Sequence, residues 1–378
     1  MAYGPLFYRD LEIAKTEALK LNRGNYDSTM VLSDDMKSEL QWWVDNLKTA
    51  TCPISNGNPD IVIDTDASLI GWGAVCNTVT AQGSFTPSDV YYAEGNINVL
   101  ELLAVKYGLQ SFASIIKNRH ILVRCDNSTA VSYISNMGGT HSRLCNAVTK
   151  EIWLWAMTQG VWLTITHIPG KLNKEADFGS RNFNDRTEWS LDPSVFELIT
   201  KKLGQPEIDL FASYSNAKVA CYYSWKPDPG AAHVDAFTVS WSGPLTYCFP
   251  PFSLLGRCLQ KIAMDHAECI VLIPNWPTQP YYSKVMEMLV SLPLVLPCQP
   301  QLLQLPHDPH CRHPLFPKLQ LLACKLSGNP LRAKTFQDTL PTLSSHLGAQ
   351  ERRSSIKPIS TSGLTTVVKG NLIHFIPL

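Results

Sequence analysis

The chain has no net charge, since 32 Lys and Arg balance 32 Asp and Glu over 378 residues. As a whole it is no electrostatic magnet for nucleic acid. It has no C-x-x-C pair, and its 11 cysteines are scattered rather than set in a small-domain framework. An odd count without a secretory signal predicts a reducing, intracellular setting, cytoplasm or nucleus. The N-terminus reaches Arg9-Asp10 without the apolar h-region of a secretory signal, so no signal peptide is expected. No apolar run approaches the roughly 20 residues of a membrane span. The longest candidate, Leu289 to Leu305, is broken by Pro293, Pro297 and Pro300, and no membrane partner is expected. What is present is 45% apolar residues in a length that suits two or three domains with real cores.

The pattern of apolar positions organises the chain. Residues 1–57 read as helical and then as a linker. Ser33 can cap a helix whose Met36, Leu40, Trp43 and Leu47 recur at helical spacing. From 58 to 185 the predicted order is strands at 60–66, 71–77 and about 79–85, a helix over about 97–117 and a strand at 120–125. Helices over 127–136 and 141–158, a strand at 161–168 and a short helix from about 173 to 181 follow. Three hairpin strands followed by crossover helices predict a mixed α/β sheet with flanking helices. Gly71 and Gly73 mark a tight turn and a close backbone approach beside Asp66.

Residues 186–300 alternate again, with a short helix near 194–203, strands at 207–211, 246–249 and 270–274, and helices near 253–267 and 280–291. This predicts a second, smaller α/β domain. Residues 301–378 are rich in Pro, Ser and Thr and hold nine Lys and Arg against three acids. They are expected to form a low-order basic tail, either solvated or able to follow a phosphate backbone.

Four acids stand where separate elements would bring them together: Asp66, Glu101, Asp126 and Asp177. Asp64 and Asp66 share a strand face; Asp66 is the candidate because it lies at the strand end beside Ala67-Ser68. Glu101 borders the buried face of its helix, where a carboxylate is costly unless paired or liganded. Each acid alone has a plainer reading, as a solvated first-turn Glu, a helix cap or a helix-start acid. Four converging carboxylates would repel one another without cations between them, and hard, oxygen-liganded Mg²⁺ in pairs suits phosphodiester hydrolysis.

Thr65-Asp66-Ala67-Ser68 with Gly71-Trp72-Gly73-Ala74 resembles the first motif of the ribonuclease H domains of retroelements. Asn98 through Ala104 resembles the second, Arg124-Cys125-Asp126-Asn127 the third, and His167 through Asn173 with Ala176-Asp177 and Ser180-Arg181 the fourth. Within that superfamily the chain is most similar to the DIRS group of tyrosine-recombinase retrotransposons. Its first helices resemble the segment that joins their reverse transcriptase to ribonuclease H.

The resemblance implies a ribonuclease H-like fold and endonucleolytic cutting of the RNA strand of an RNA–DNA hybrid. It implies two Mg²⁺ ions (or Mn²⁺) on Asp66, Glu101, Asp126 and Asp177, and a reverse transcriptase in the same polyprotein as partner. Ser68, Asn98 and Asn127 are the candidate hybrid contacts, with turn and cap roles as the alternative. One departure is the short Gly170-Lys171-Leu172-Asn173 link, which lacks the His of cellular enzymes; His167, on the preceding strand, is read as structural. The alternative function is a catalytically inactive nucleic-acid-binding remnant of a degenerate element.

Residues 206–276 resemble the DNA adenine methyltransferase-like domain that follows ribonuclease H in such elements. The similar pieces are Asp209-Leu210-Phe211-Ala212, Asn216-Ala217-Lys218, Val234-Asp235-Ala236-Phe237 and Phe249-Pro250-Pro251-Phe252. Active relatives have an oxygen-bearing residue where Phe249 stands, and a phenyl ring cannot accept that hydrogen bond. Methyl transfer is therefore not expected. His307, His310, Cys311 and His313 are interrupted by prolines and lack a second ligand pair, so zinc is not expected there either.

Overall fold

The computed structural model describes residues 2–49, 51–182, 188–306, 308, 310–341 and 364–378. The chain divides into two compact units, Met1–Asn184 with Pro227–Pro229, and Asp185–Lys226 with Gly230–Leu378. Among the described residues no helix is long and apolar enough to cross a membrane.

The first unit opens with α1 (Arg9–Leu21) and α2 (Asp34–Asn46). The Ser33 hydroxyl accepts from the Met36 N–H, closing the start of α2 as its sequence predicts. Five strands follow: β1 (Ile61–Ala67), β2 (Gly71–Cys76), β3 (Val79–Ser84), β4 (His120–Cys125) and β5 (Trp162–His167). Between β3 and β4 lie α3 (Pro87–Ala93), α4 (Ile97–Ser111) and α5 (Ala113–Ile116). Helices α6 (Ser128–Ser135) and α7 (Arg143–Thr158) join β4 to β5, and α8 (Lys174–Arg181) follows. The sheet order is β3-β2-β1-β4-β5. Strand β1 is central, antiparallel to β2 and parallel to β4, and β4 is parallel to β5.

Two glycines set how the helices lie on this sheet. A Cβ on Gly108 of α4 would come within 2.9 Å of the Ala74 Cβ, and one on Gly73 within 2.2 Å of the Ala176 carbonyl oxygen of α8. Gly73 and Ala74 are successive strand residues and face opposite ways. Helices α4 and α8 therefore cover opposite faces of the same strands. The close backbone approach expected at Gly73 is thus the contact with α8.

The first two helices belong to this unit. Lys150 of α7 donates to Asp10 at 2.9 Å and to the buried Glu39 at 3.0 Å, and the Trp43 indole donates to the Phe7 carbonyl at 2.8 Å. The Phe7 and Trp42 rings stack with centroids 3.9 Å apart.

The second unit is built on an eight-stranded sheet. Its elements in chain order are β6 (Ser190–Leu191), α9 (Pro193–Leu203), β7 (Ile208–Asp209), β8 (Cys221–Ser224), β9 (His233–Val234), β10 (Thr246–Cys248) and α10 (Leu255–Met264). Then come β11 (Glu268–Pro274), α11 (Pro280–Glu287), β12 (Leu294–Val295), β13 (Leu303–Gln304), β14 (Leu321–Ser327), α12 (Pro330–Gln337), β15 (Thr365–Val368), β16 (Asn371–His374) and β17 (Ile376–Pro377). The order is β17-β12-β14-β11-β10-β7-β8-β9. Along β11, Cys269, Val271 and Ile273 enter one apolar cluster while Ile270 and Leu272 enter another. A sheet covered on both faces needs such unbroken apolar runs.

The expectation of a low-order basic tail over 301–378 is corrected by the described part of that segment. Strand β14 pairs with β11 over seven residues and is buried along its length except at Lys325. Three cations of the described segment are engaged: Lys325 donates to the Leu203 carbonyl at 2.8 Å, Arg332 pairs with Glu268, and Lys369 meets Glu287 at 3.0 Å. The apolar run Leu319–Leu326 was masked in the sequence by prolines on both sides. Of the His307, His310, Cys311 and His313 group, where zinc is not expected, His307 lies outside the described residues. His313 accepts from the Leu315 N–H and packs against Trp189, ring centroids 4.7 Å apart.

Candidate active site

The acids gather where β1 and β4 end. Asp66 is the penultimate residue of β1 and is buried. Asp64, two residues earlier, is taken up by a two-pronged pair with Arg124, at 2.5 Å to Nε and 2.7 Å to Nη2. That pairing removes Asp64 from the cluster and leaves Asp66 as the strand carboxylate with no ion pair among the described residues. Glu101 lies in the second turn of α4 and is 5% exposed, so it is not the solvated helix-start Glu of its plainer reading. Asp126 follows the last residue of β4. The cap of α6 is its neighbour Asn127, whose Oδ1 accepts from the Ala130 N–H at 2.9 Å. Asp126 is thereby spared capping and stays half-buried. Asp177, on α8, is half-buried and pairs with Arg181 at 2.7 Å.

Electrostatics show that these groups feel one another. Burial pushes the Glu101 carboxyl up to about 8, and the charges of Asp66 and Asp126 push the same way. Burial also pushes Asp66 up to about 6, opposed by the Ser180 hydroxyl and reinforced by Asp126 and Asp177. That hydroxyl donates to Asp66 Oδ2 at 2.6 Å. Among the described residues no Lys, Arg or His forms an ion pair with Glu101 or Asp66. A carboxylate set of this kind, buried and mutually repelling, fits a hard divalent cation with oxygen ligands, which would relieve the repulsion.

The three polar neighbours divide. The Ser68 hydroxyl donates to the Ser180 carbonyl at 2.6 Å and accepts from the N–H groups of Ile70 and Gly71. It closes the β1–β2 turn and ties it to α8. Asn127 donates through Nδ2 to Asn98 Oδ1 at 2.9 Å, besides capping α6. The Asn98 NH₂ group has no protein partner among the described residues, and Asn98 is half-buried beside the acids. His167 Nε2 lies 3.1 Å from the Asp126 backbone oxygen. A Cβ on Gly170 would come within 2.8 Å of Asp126 Oδ2, so the short link after β5 runs against the acid.

Sequence reasoning missed two members of this group. Ser180 was seen only as part of a motif, not as the donor to Asp66. Cys125, likewise, enters the sequence reading only as part of a motif and a strand. Its thiol donates toward Glu101 Oε2 at 3.8 Å, and one ligand atom each of Glu101, Cys125 and Asp126 lies within 4.8 Å of the others. Alternation alone shows that Cys125 faces away from Arg124; the pairing of Arg124 with Asp64 is what puts it on the α4 side.

No family model matches the chain. It is 29% identical over 134 residues to the enzymatic polyprotein of cauliflower mosaic virus (strain D/H), a match spanning 33% of this chain and 19% of that polyprotein. It is 27% identical over 133 residues to polyprotein P3 of Commelina yellow mottle virus, spanning 33% of this chain and 7% of that one. The chain thus covers less than a fifth of the length of these relatives. Among solved structures it is similar to LC11-RNase H1, isolated from compost by a metagenomic approach, at TM-score 0.25 and 21% identity over 32% of this chain and 91% of that one. RNase H1 from the halophilic archaeon Halobacterium salinarum NRC-1 gives TM-score 0.22 and 18% identity, over 32% and 92%.

Proposed function

We propose that the chain is the ribonuclease H segment of a retroelement polyprotein and cuts the RNA strand of RNA–DNA hybrids. The observation that carries this reading is the gathering of Asp66, Glu101, Asp126 and Asp177 around the ends of β1 and β4, where burial, reinforced by the charges of neighbouring acids, pushes Asp66 and Glu101 up. The similarity to two viral polyproteins supports the polyprotein setting. In that setting the partner is a reverse transcriptase domain of the same polyprotein, in the cytoplasm or nucleus. The assignment to the DIRS group rests on the motifs alone.

The four acids would hold two Mg²⁺ ions, with Mn²⁺ as a substitute. When bound, such ions supply Lewis acidity to the attacking water and to the departing 3′ oxygen. The chain's own residues prepare that chemistry. Ser180 fixes the orientation of Asp66, and Arg181 holds Asp177. Asn127 anchors Asn98, whose NH₂ group is the donor best placed for a 2′-hydroxyl or a phosphate oxygen of the hybrid.

The second unit is read as a methyltransferase-like domain that has lost its chemistry. Phe249 lines a cavity of about 420 Å³ with Phe211, Phe237 and Trp225, and it offers no acceptor for a target amino group. The test for the main reading is incubation with a labelled RNA–DNA hybrid, with and without Mg²⁺. Mg²⁺-dependent cutting of the RNA strand is expected. Binding without cutting would make this an inactive remnant, and equal cutting of duplex DNA would point to an integrase-like use of the same acids.

A further inference from the structure

Cys125 changes what kind of cation this cluster can take. Its thiol is fully buried and lies among the acids, on the α4 side of β4. Glu101 from α4, Cys125 from the end of β4 and Asp126 from the turn beyond it bring their ligand atoms within 4.8 Å of one another. Three separate backbone positions thus offer two hard oxygen donors and one soft sulfur donor around a single point. Glu101 is 5% exposed and forms no ion pair among the described residues, and the thiol is the side-chain donor that reaches it. A cluster with oxygen donors alone would favour hard ions; one sulfur among them favours borderline and soft ions.

We propose that Glu101, Cys125 and Asp126 form a site for a thiophilic divalent cation, zinc being the physiological example, and that its occupation excludes the hard ion at the same carboxylates. Zinc is satisfied by three such ligands and one water, with bonds of roughly 2.0 Å to oxygen and 2.3 Å to sulfur. Drawing in three donors already this close takes only small side-chain movements. Coordination releases the thiol proton to solvent. Zinc held by these three ligands draws Glu101 and Asp126 away from the hard ion that needs them. Zinc would therefore act as a competitive brake that rising Mg²⁺ relieves. The inhibition arm of this proposal rests on the hydrolytic reading above; the binding arm does not.

The test uses the full chain in a background where Cys52, Cys298 and Cys311, the cysteines not fully buried on the strand and helix cores apart from Cys221, are replaced by serine. Cadmium, a spectroscopic stand-in for zinc, is titrated while the ultraviolet thiolate-to-cadmium charge-transfer band is followed. The expected result is a band saturating at one equivalent that disappears in Cys125→Ser and weakens in Glu101→Gln. Thermal melting of each variant checks that it is folded, and Cys125→Ala serves if the serine variant is not. In hybrid cleavage at fixed Mg²⁺, each protein is compared with its own zinc-free rate. The zinc concentration for half inhibition should rise by about 10- to 100-fold in Cys125→Ser, the range expected for losing a contributor to metal affinity. An unchanged cadmium band in folded Cys125→Ser would overturn the proposal. So would inhibition by zinc that Cys125→Ser leaves unchanged. Absence of cleavage in every protein would instead sink the hydrolytic reading and leave the cadmium result to decide this one.

Discussion

Both units bury a carboxylate at the end of a central strand, and the two are held in opposite ways. In the second unit Asp209 is buried and pushed up to about 6 by that burial, yet it is surrounded by donors. It accepts from the Phe211 N–H at 3.3 Å and the Lys218 N–H at 3.1 Å, and the Lys218 charge is nearby. In the first unit Asp66 is also pushed up to about 6, but its neighbours include Asp126 and Asp177, and Glu101 is pushed further, to about 8. Burial alone therefore does not identify a functional acid. The partners do: Asp209 is held by two backbone N–H groups and the Lys218 charge against one acid, Glu188, whereas Glu101 and Asp66 face other acids with weaker support, from the Cys125 thiol, the Ala67 N–H, the Ser180 hydroxyl and the Arg181 charge, and a bound cation would favour their ionised forms.

The largest expected effect is at Asp126. Asp126→Asn keeps the shape and a hydrogen-bonding group but removes a charge from the cluster. Cleavage should fall by about a thousandfold or more, a loss of about 4 kcal/mol of transition-state stabilisation. Hybrid binding, measured by fluorescence anisotropy, should persist. Cutting at the parental rate would remove Asp126 from the site and break the contrast with Asp209.

Next is the effect of pH on the metal-free protein. A carboxyl whose folded pKa is raised stabilises the fold through its protonated form. For Glu101 that contribution is whole below its ordinary value of 4.5 and is lost as pH rises through about 8. Asp66 acts in the same direction over a lower window, from 3.8 to about 6. Metal-free protein should therefore lose a few kcal/mol of stability between about pH 4.5 and 8. Glu101→Gln should flatten that slope and be the more stable protein at pH 9, while losing cleavage. Denaturant melts across pH decide it; a parental slope in Glu101→Gln would show that the glutamate is not held neutral by its surroundings.

The same kind of substitution at the satisfied acid should do the reverse. In Asp209→Asn an NH₂ group replaces one oxygen and faces a backbone N–H, leaving a buried donor unpaired. Stability should fall by about 2 kcal/mol. Hybrid cleavage by the folded fraction should not change. A loss of cleavage with unchanged melting would mean that Asp209 serves the reaction rather than the fold.

How much of this was legible beforehand follows from local physics. Alternation in Ile61–Asp66 and Ile121–Cys125 marks strands with one apolar face, and the helical spacing around Glu101 marks α4; these come from short stretches of chain. The four acids could be placed because each borders a recognisable element. Helix α3 was not anticipated. It depends on a reciprocal cap between Thr86 and Asp89 and buries little of its own surface. The role of Cys125 needed the register of β4 against β1, which pairs it with Thr65, and register is a property of two strands rather than one. Strand β14 is one short buried run within 301–378, a segment rich in prolines and serines.

The smallest expected effects separate Ser68 from Asn98, two polar residues with the same sequence credentials. Every hydrogen bond of the Ser68 hydroxyl is internal, to Ser180, Ile70 and Gly71. Ser68→Ala should therefore cost stability, about 1 to 3 kcal/mol for the buried groups it leaves unpaired, and should move KM little. Asn98 has its oxygen engaged by Asn127 and its NH₂ group free of protein partners among the described residues. Asn98→Ala should weaken hybrid binding by about 1 kcal/mol, the worth of one hydrogen bond, seen as roughly a fivefold rise in KM with kcat nearly constant. The pair is informative because the outcomes cross: one residue changes melting and the other changes KM. If Asn98→Ala lowers stability and leaves KM alone, its contact with Asn127 serves the fold, and the hybrid must be gripped by other groups.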